Sequence, residues 1–113
     1  MSSRRADAIR LSDILRSAAR LEEILHAGYA AFENSWQSQS AAIRELEVIG
    51  EAAGHISTTT RERYPGVRWT PMRGFGSLAK HEYWRVNPRL VWNAIGEMPA
   101  LRLKLSRVLP PDE

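Results

Sequence analysis

The chain contains no cysteine. That excludes disulfides, zinc-thiolate sites and thiol nucleophiles together. It also lacks any apolar run near the ~20 residues needed to cross a bilayer. The first ten residues carry charge without a hydrophobic stretch behind them, so no secretory signal is read there. No segment alternates with period two over a strand length, and no internal repeat, low-complexity tract or linker interrupts the chain. These absences predict a soluble, cytoplasmic, all-helical protein. A formal charge of +3 admits a polyanionic partner without identifying one.

What is present is a set of helical stripes. At 113 residues the chain is read as one domain, with its core over about residues 6–109. The first long helix is predicted over residues 6–27, with Ile14, Leu15, Ala18, Leu21, Ile24 and Leu25 on one face. Residues 28–36 are less regular, and their Tyr29, Phe32 and Trp36 suit a helical turn packed down on the core. A second long helix is predicted over residues 37–56. Ile43, Leu46, Ile49, Gly50 and Ala53 share its apolar face, and Arg44, Glu45 and Glu51 lie off it. Gly50 costs up to ~1 kcal/mol relative to Ala in a helix interior; its place on the apolar face points to a close helix–helix approach.

Punctuation divides the rest. A short helix over residues 58–64 ends at Pro65-Gly66. Thr70-Pro71 predicts a helix start with Thr as N-cap and Pro at the first helical position, and that helix runs to about His81 through Gly74 and Gly76. Asn87-Pro88 repeats the signature for the last helix, which Pro99 kinks or ends. Residues 1–5 and 110–113 are expected to be loose. The fold class is therefore an all-α bundle of four to five helices.

Of three histidines, His26 and His55 stand near the ends of apolar stripes and read as half-buried or helix-terminal residues. No histidine pair has metal-ligand spacing and no acidic cluster completes one, so no metal is expected. His81 differs, because it ends a helix amid Lys80, Glu82, Tyr83 and Trp84. An imidazole titrates near neutrality, and it can take a proton from a ribose 2′-hydroxyl or give one to a leaving oxygen. On chemistry alone, the favoured reading is a helix-capping His beside the interface aromatics Tyr83 and Trp84. Trp69, Trp84 and Trp92 likewise read either as core or as a dimer interface.

The run Ile43-Arg44-Glu45-Leu46-Glu47-Val48-Ile49-Gly50-Glu51-Ala52-Ala53, followed by Tyr64-Pro65, Trp69, Gly74-Phe75, His81-x-Tyr83, Val86 and Val91-Trp92, resembles the HepT-like branch of the HEPN superfamily. The resemblance implies a helical bundle that forms a homodimer. It also implies a metal-independent endoribonuclease that needs no cofactor and acts as the toxin of a HepT/MntA-type toxin–antitoxin pair. Two protomers of the family build a composite site on RNA from an Arg, a following polar residue and a His. The implied partner is a nucleotidyltransferase antitoxin of the MntA type, which can transfer AMP to the motif Tyr. Carried over by position, His81 matches the catalytic His, Ser77 the polar residue and Tyr83 the AMP acceptor. The Arg position is Gly76, so the resemblance implies an enzyme attenuated or inactive as written. Gly76 is then either natural or an inactivating change. Arg73 and Lys80 are the nearby candidates for RNA contact. The alternative is a non-catalytic HEPN-fold protein that dimerises and binds the antitoxin; a basic helical module unrelated to ribonucleases is the third reading.

Overall fold

The structure is a computed structural model that describes residues 3–81, 83–85 and 87–108. Among these are seven α-helices, one 3-10 turn and no strand. Helix α1 spans Ser3–Ala27, α2 Tyr29–Glu33, α3 Trp36–Gly54, α4 Thr58–Arg63 and α5 Trp69–His81. The 3-10 turn Tyr83–Arg85 leads to α6, Pro88–Ile95, and α7, Met98–Leu105. Four rods carry the bundle: α1, α3, α5 and the broken pair α6–α7. The short α2 and α4 fill its corners.

The breaks follow local chemistry. Gly28 adopts φ +92, a conformation that costs other residues, and so separates α1 from α2. Ser35, Ser57 and Asn87 cap α3, α4 and α6 by accepting hydrogen bonds from the backbone N–H groups of Ser38, Thr60 and Arg89. The last helix breaks at Gly96-Glu97, and Pro99 sits in the first turn of α7, where its missing N–H is not needed.

Helix α5 begins earlier than Thr70-Pro71 implies. Trp69 is already helical, and Met72 N–H donates to the Arg68 carbonyl. The cause lies in burial: Trp69 is only 7% exposed, and its indole N–H donates to the Tyr64 carbonyl at 3.0 Å. That bond pulls the helix start back towards the Pro65-Gly66 turn. Pro71 still falls in the first turn, where its lack of an N–H is harmless. At the other boundaries, α1 includes Ser3–Arg5, α3 ends at Gly54 with His55 as its C-cap, and α4 stops at Arg63. Residues 110–113 lie outside the described residues, as do Glu82 and Val86.

The apolar stripes converge as their spacing requires. Ile14 and Leu21 of α1, Leu46 and Ile49 of α3, Ile95 of α6 and Met98 of α7 are fully enclosed. Tyr29 and Phe32 set their ring centroids 5.4 Å from that of Trp92, while Trp36 stays 71% exposed at the start of α3. Trp69, Trp84 and Trp92 all pack on the core, so the aromatic excess gives no independent support for an interface beyond Trp36. His26 and His55 sit exposed at the ends of α1 and α3.

Three buried carboxylates fasten α1 to its neighbours. Glu45, which the periodicity places off the apolar stripe of α3, is 8% exposed and accepts from Ser17 Oγ at 3.2 Å and Arg20 Nη1 at 3.3 Å. Glu22 of α1 pairs with Arg102 of α7. Asp7 is 1% exposed and accepts from Ser57 N at 2.9 Å, from Ser57 Oγ at 2.6 Å and from the Thr60 hydroxyl. A carboxylate at the start of α4 also meets the positive end of that helix. Asp7→Ala would leave two hydroxyls and an amide without their acceptor, and we expect it to lower the unfolding free energy by about 2–4 kcal/mol in urea titrations. A loss below about 0.5 kcal/mol, the range of an ordinary surface change, would contradict this account of the anchor.

Candidate active site

Helix α5 packs against α3 more extensively than any other pair of elements. Gly50 is the point of closest approach. A Cβ on Gly50 would stand 2.8 Å from the Gly76 backbone nitrogen and 3.0 Å from the Arg73 carbonyl oxygen. Only glycine lets the two backbones approach this closely, as its place on the apolar face of α3 anticipates. Gly76 is the opposite case. Its backbone touches α3, but a Cβ built on it would meet nothing within 4 Å. Position 76 therefore points outward into open space.

That space is a groove of about 490 Å³ between the two helices. Arg73, Gly76, Ser77 and Lys80 line its α5 wall, and Glu47, Gly50 and Glu51 line its α3 wall. At 100° per residue, the four α5 positions share one face. His81 is exposed at the last position of α5, one turn beyond Ser77 on the adjoining edge of this face. The groove thus gathers Gly76, Ser77 and Lys80, while His81 stands at the C-terminal end of α5 outside the groove's lining. Arg73 lies towards the other end of the groove: its Nε is 3.5 Å from where a Cβ on Gly54, the last residue of α3, would be. Arg73 therefore does not occupy the place of an arginine at position 76.

Tyr83 opens the 3-10 turn that follows, and its side chain lies outside what is described. Trp84 packs on the core with the Arg85 guanidinium 5.3 Å from its ring centroid. Its buried indole nitrogen has no hydrogen-bond partner among the described residues. Among those residues no group of three or more His, Asp or Glu side chains could hold a metal ion, and no helix is long and apolar enough to cross a membrane.

The acidic wall is the part of the groove that sequence reasoning missed. Glu47 and Glu51 flank Gly50 at three- and one-residue spacing, and that spacing is the local signal that could have found them. Two carboxylates face two cations, Arg73 and Lys80, so the groove as it stands carries no net charge. A phosphate would find little attraction there. One further cation at position 76 would tip the balance.

The profile of the family described as Ribonuclease HepT-like matches residues 14–108. The chain belongs to this HepT-like family. A candidate RNase of Methanocaldococcus jannaschii is 37% identical over 98 residues, covering 86% of this chain and 89% of its own. A candidate RNase of Caldanaerobacter subterraneus is 34% identical over 74 residues, 65% of this chain and 66% of its own. The probable ribonuclease HepT of Thermococcus cleftensis is 29% identical over 100 residues, 87% of this chain and 91% of its own. No solved structure gives a significant match. The all-α architecture expected from the HepT-like resemblance is the one observed, and the matched span contains both walls of the groove.

The two groove glycines differ in what a methyl group would meet, and this can be tested directly. Gly76→Ala should raise the unfolding free energy by up to about 1 kcal/mol through helix propensity alone. Gly50→Ala should lower it by about 1–3 kcal/mol, because its Cβ would drive the α5 backbone away. Denaturant titrations giving the two variants the same sign would disprove the packing described here.

Proposed function

We propose that this chain is the ribonuclease component of a HepT/MntA-type toxin–antitoxin pair, attenuated at one residue. The observation that carries the reading is the outward direction of position 76. The Cβ of an arginine there would meet nothing within 4 Å, beside Ser77 on the groove wall and within the segment that ends at His81. Its guanidinium would hold the scissile phosphate and offset charge building on the phosphoryl oxygens.

The reaction follows from the groups present. Neutral His81 accepts the proton of a ribose 2′-hydroxyl, and the 2′-oxygen attacks the adjacent phosphorus. The bond to the 5′-oxygen breaks, and an imidazolium returns a proton to that leaving oxygen. The products are a 2′,3′-cyclic phosphate and a 5′-hydroxyl, with no metal or organic cofactor in the sequence of steps. In the composite arrangement, one histidine comes from each of two copies. Ser77 supplies a hydroxyl on the same face, and Lys80 and Arg73 contact the flanking phosphates. Tyr83 is the acceptor for AMP delivered by a nucleotidyltransferase antitoxin, two residues beyond His81, where a bulky anionic adduct would obstruct RNA.

A second reading rests on Gly76 itself. With the groove neutral and the arginine missing, the chain would serve as a non-catalytic dimer that binds the antitoxin. The two readings part on RNA cleavage without added metal by the wild-type chain, Gly76→Arg and Gly76→Arg/His81→Ala. Gly76→Arg should gain at least about 10²-fold over wild type, the scale of one transition-state donor, and the double variant should lose the gain. Absence of cleavage in all three would leave the non-catalytic reading. Independently, AMP transfer from labelled ATP by a cognate nucleotidyltransferase should disappear in Tyr83→Phe.

A further inference from the structure

A second recess lies on the other side of α5. Residues 68, 71, 72 and 75 face on average about 140° away from residues 73, 76, 77 and 80 at 100° per residue. They open onto a cavity of about 290 Å³ against α7. Its floor is apolar: Val67, Met72 and Phe75 are buried and Leu101 is half-buried. The recess continues across Val67 and Lys104 into a shallower one of about 360 Å³ along Tyr64, Pro65 and Gly66.

The rim is strongly basic. Arg63, Arg68, Lys104 and Arg107 line the two recesses with Glu97 as the sole acid. Four cations against one carboxylate leave this one surface with as much positive charge as the whole chain, whose net charge is +3. The cations are poorly neutralised. Arg68 meets Glu97 at 3.7 Å with both side chains exposed, a pairing worth little. Lys104 donates to the Gly66 carbonyl at 3.2 Å, and Arg63 lies 6.0 Å from the Tyr64 ring centroid. Arg107 has no acidic partner among the described residues.

We infer that this basic, apolar-floored recess is a docking site for an acidic segment of a partner protein that inserts an aliphatic or aromatic side chain. The complementary charge is negative, and the cavity has room for a large side chain. A nucleic acid would satisfy the cations but not the floor. The side chains of Val67, Met72, Phe75 and Leu101 offer no hydrogen-bonding group to a base edge, so a buried base would lose its bonds to water. An apolar side chain loses nothing by the same transfer, while the rim attracts the acids around it. This surface acts in recognition, on the face of α5 opposite the groove where RNA chemistry is proposed.

The test is a titration of the isotope-labelled full chain, read by amide chemical shifts. The probe is a peptide rich in Asp and Glu that carries a pair of leucines one helical turn apart. Controls replace its leucines by serine, or its acids by glutamine, and a single-stranded uridine oligonucleotide is titrated in parallel. The expected result is saturable shifts at residues 66–68, 72, 75 and 97–104, but not along Glu47, Glu51 and Lys80. Lys104→Glu/Arg107→Glu and, separately, Ala100→Trp, which fills the cavity, should each weaken binding at least about tenfold at unchanged melting temperature. Should charge reversal lower the melting temperature, Lys104→Gln/Arg107→Gln provides the same reading. The inference is overturned if the probe leaves these amides unmoved, if the glutamine control binds as well, or if the oligonucleotide occupies the same residues more tightly. Each outcome is separate from the cleavage assay, because no variant touches the α3–α5 groove.

Discussion

The contact between Gly50 and the backbone of residues 73–76 sets the geometry of everything proposed for this protein. Two helices normally stand apart by the thickness of their side chains, about 8–10 Å between axes. Here one helix presents no side chain at the crossing, and the other presents its own backbone. The close crossing fixes which α5 residues face outward beside it, and it brings Glu47 and Glu51 to the opposite wall. It also fixes the direction of position 76. Had Gly76 occupied the crossing and Gly50 the rim, an arginine at 76 would be impossible. The observed order leaves room for its Cβ.

Around that crossing, charge rather than apolar surface decides which helix meets which. Ile, Leu and Met are interchangeable in their preference for the interior, so an apolar stripe alone permits several helix arrangements. Asp7, Glu22 and Glu45 do not permit them. Each is buried, and each has donors on one particular neighbour: α4, α7 and α1 respectively. A wrong pairing would strand a carboxylate away from water, a cost of several kcal/mol per ion. Such groups add little to stability over a well-packed hydrocarbon, but they penalise alternatives.

Much of the fold was legible because helical periodicity and cap residues are local. The stripes of α1 and α3, the Asn87-Pro88 start of α6 and the role of Gly50 follow from spacing within a few turns. The buried carboxylates were not legible, since a glutamate in a helix reads as solvated unless its donor is known. Glu45 finds its donors 25 and 28 residues away, and Asp7 finds them 50 and 53 away. The start of α5 was misplaced because the indole of Trp69 overrides a good capping signal. For the candidate site, the grouping of Gly76, Ser77 and Lys80 follows from spacing on one helix, with His81 at its end. Its acidic wall does not, because it depends on how two helices are set against each other.

The salt bridge between Glu22 and Arg102 joins the first rod of the bundle to the last, and α1 packs along α7. Ile14 and Leu21, wholly enclosed in the finished protein, share their helix with contacts that close only when residues near the end of the described chain have arrived. During synthesis at about 5–20 residues per second, α1 therefore waits for several seconds with apolar surface uncovered. Helix α3 can shelter part of it, but closure is a late and long-range event, the kind that slows folding among otherwise local helical contacts. The interval after translation begins and before α7 docks is thus when this bundle is most open to chaperones and to proteases.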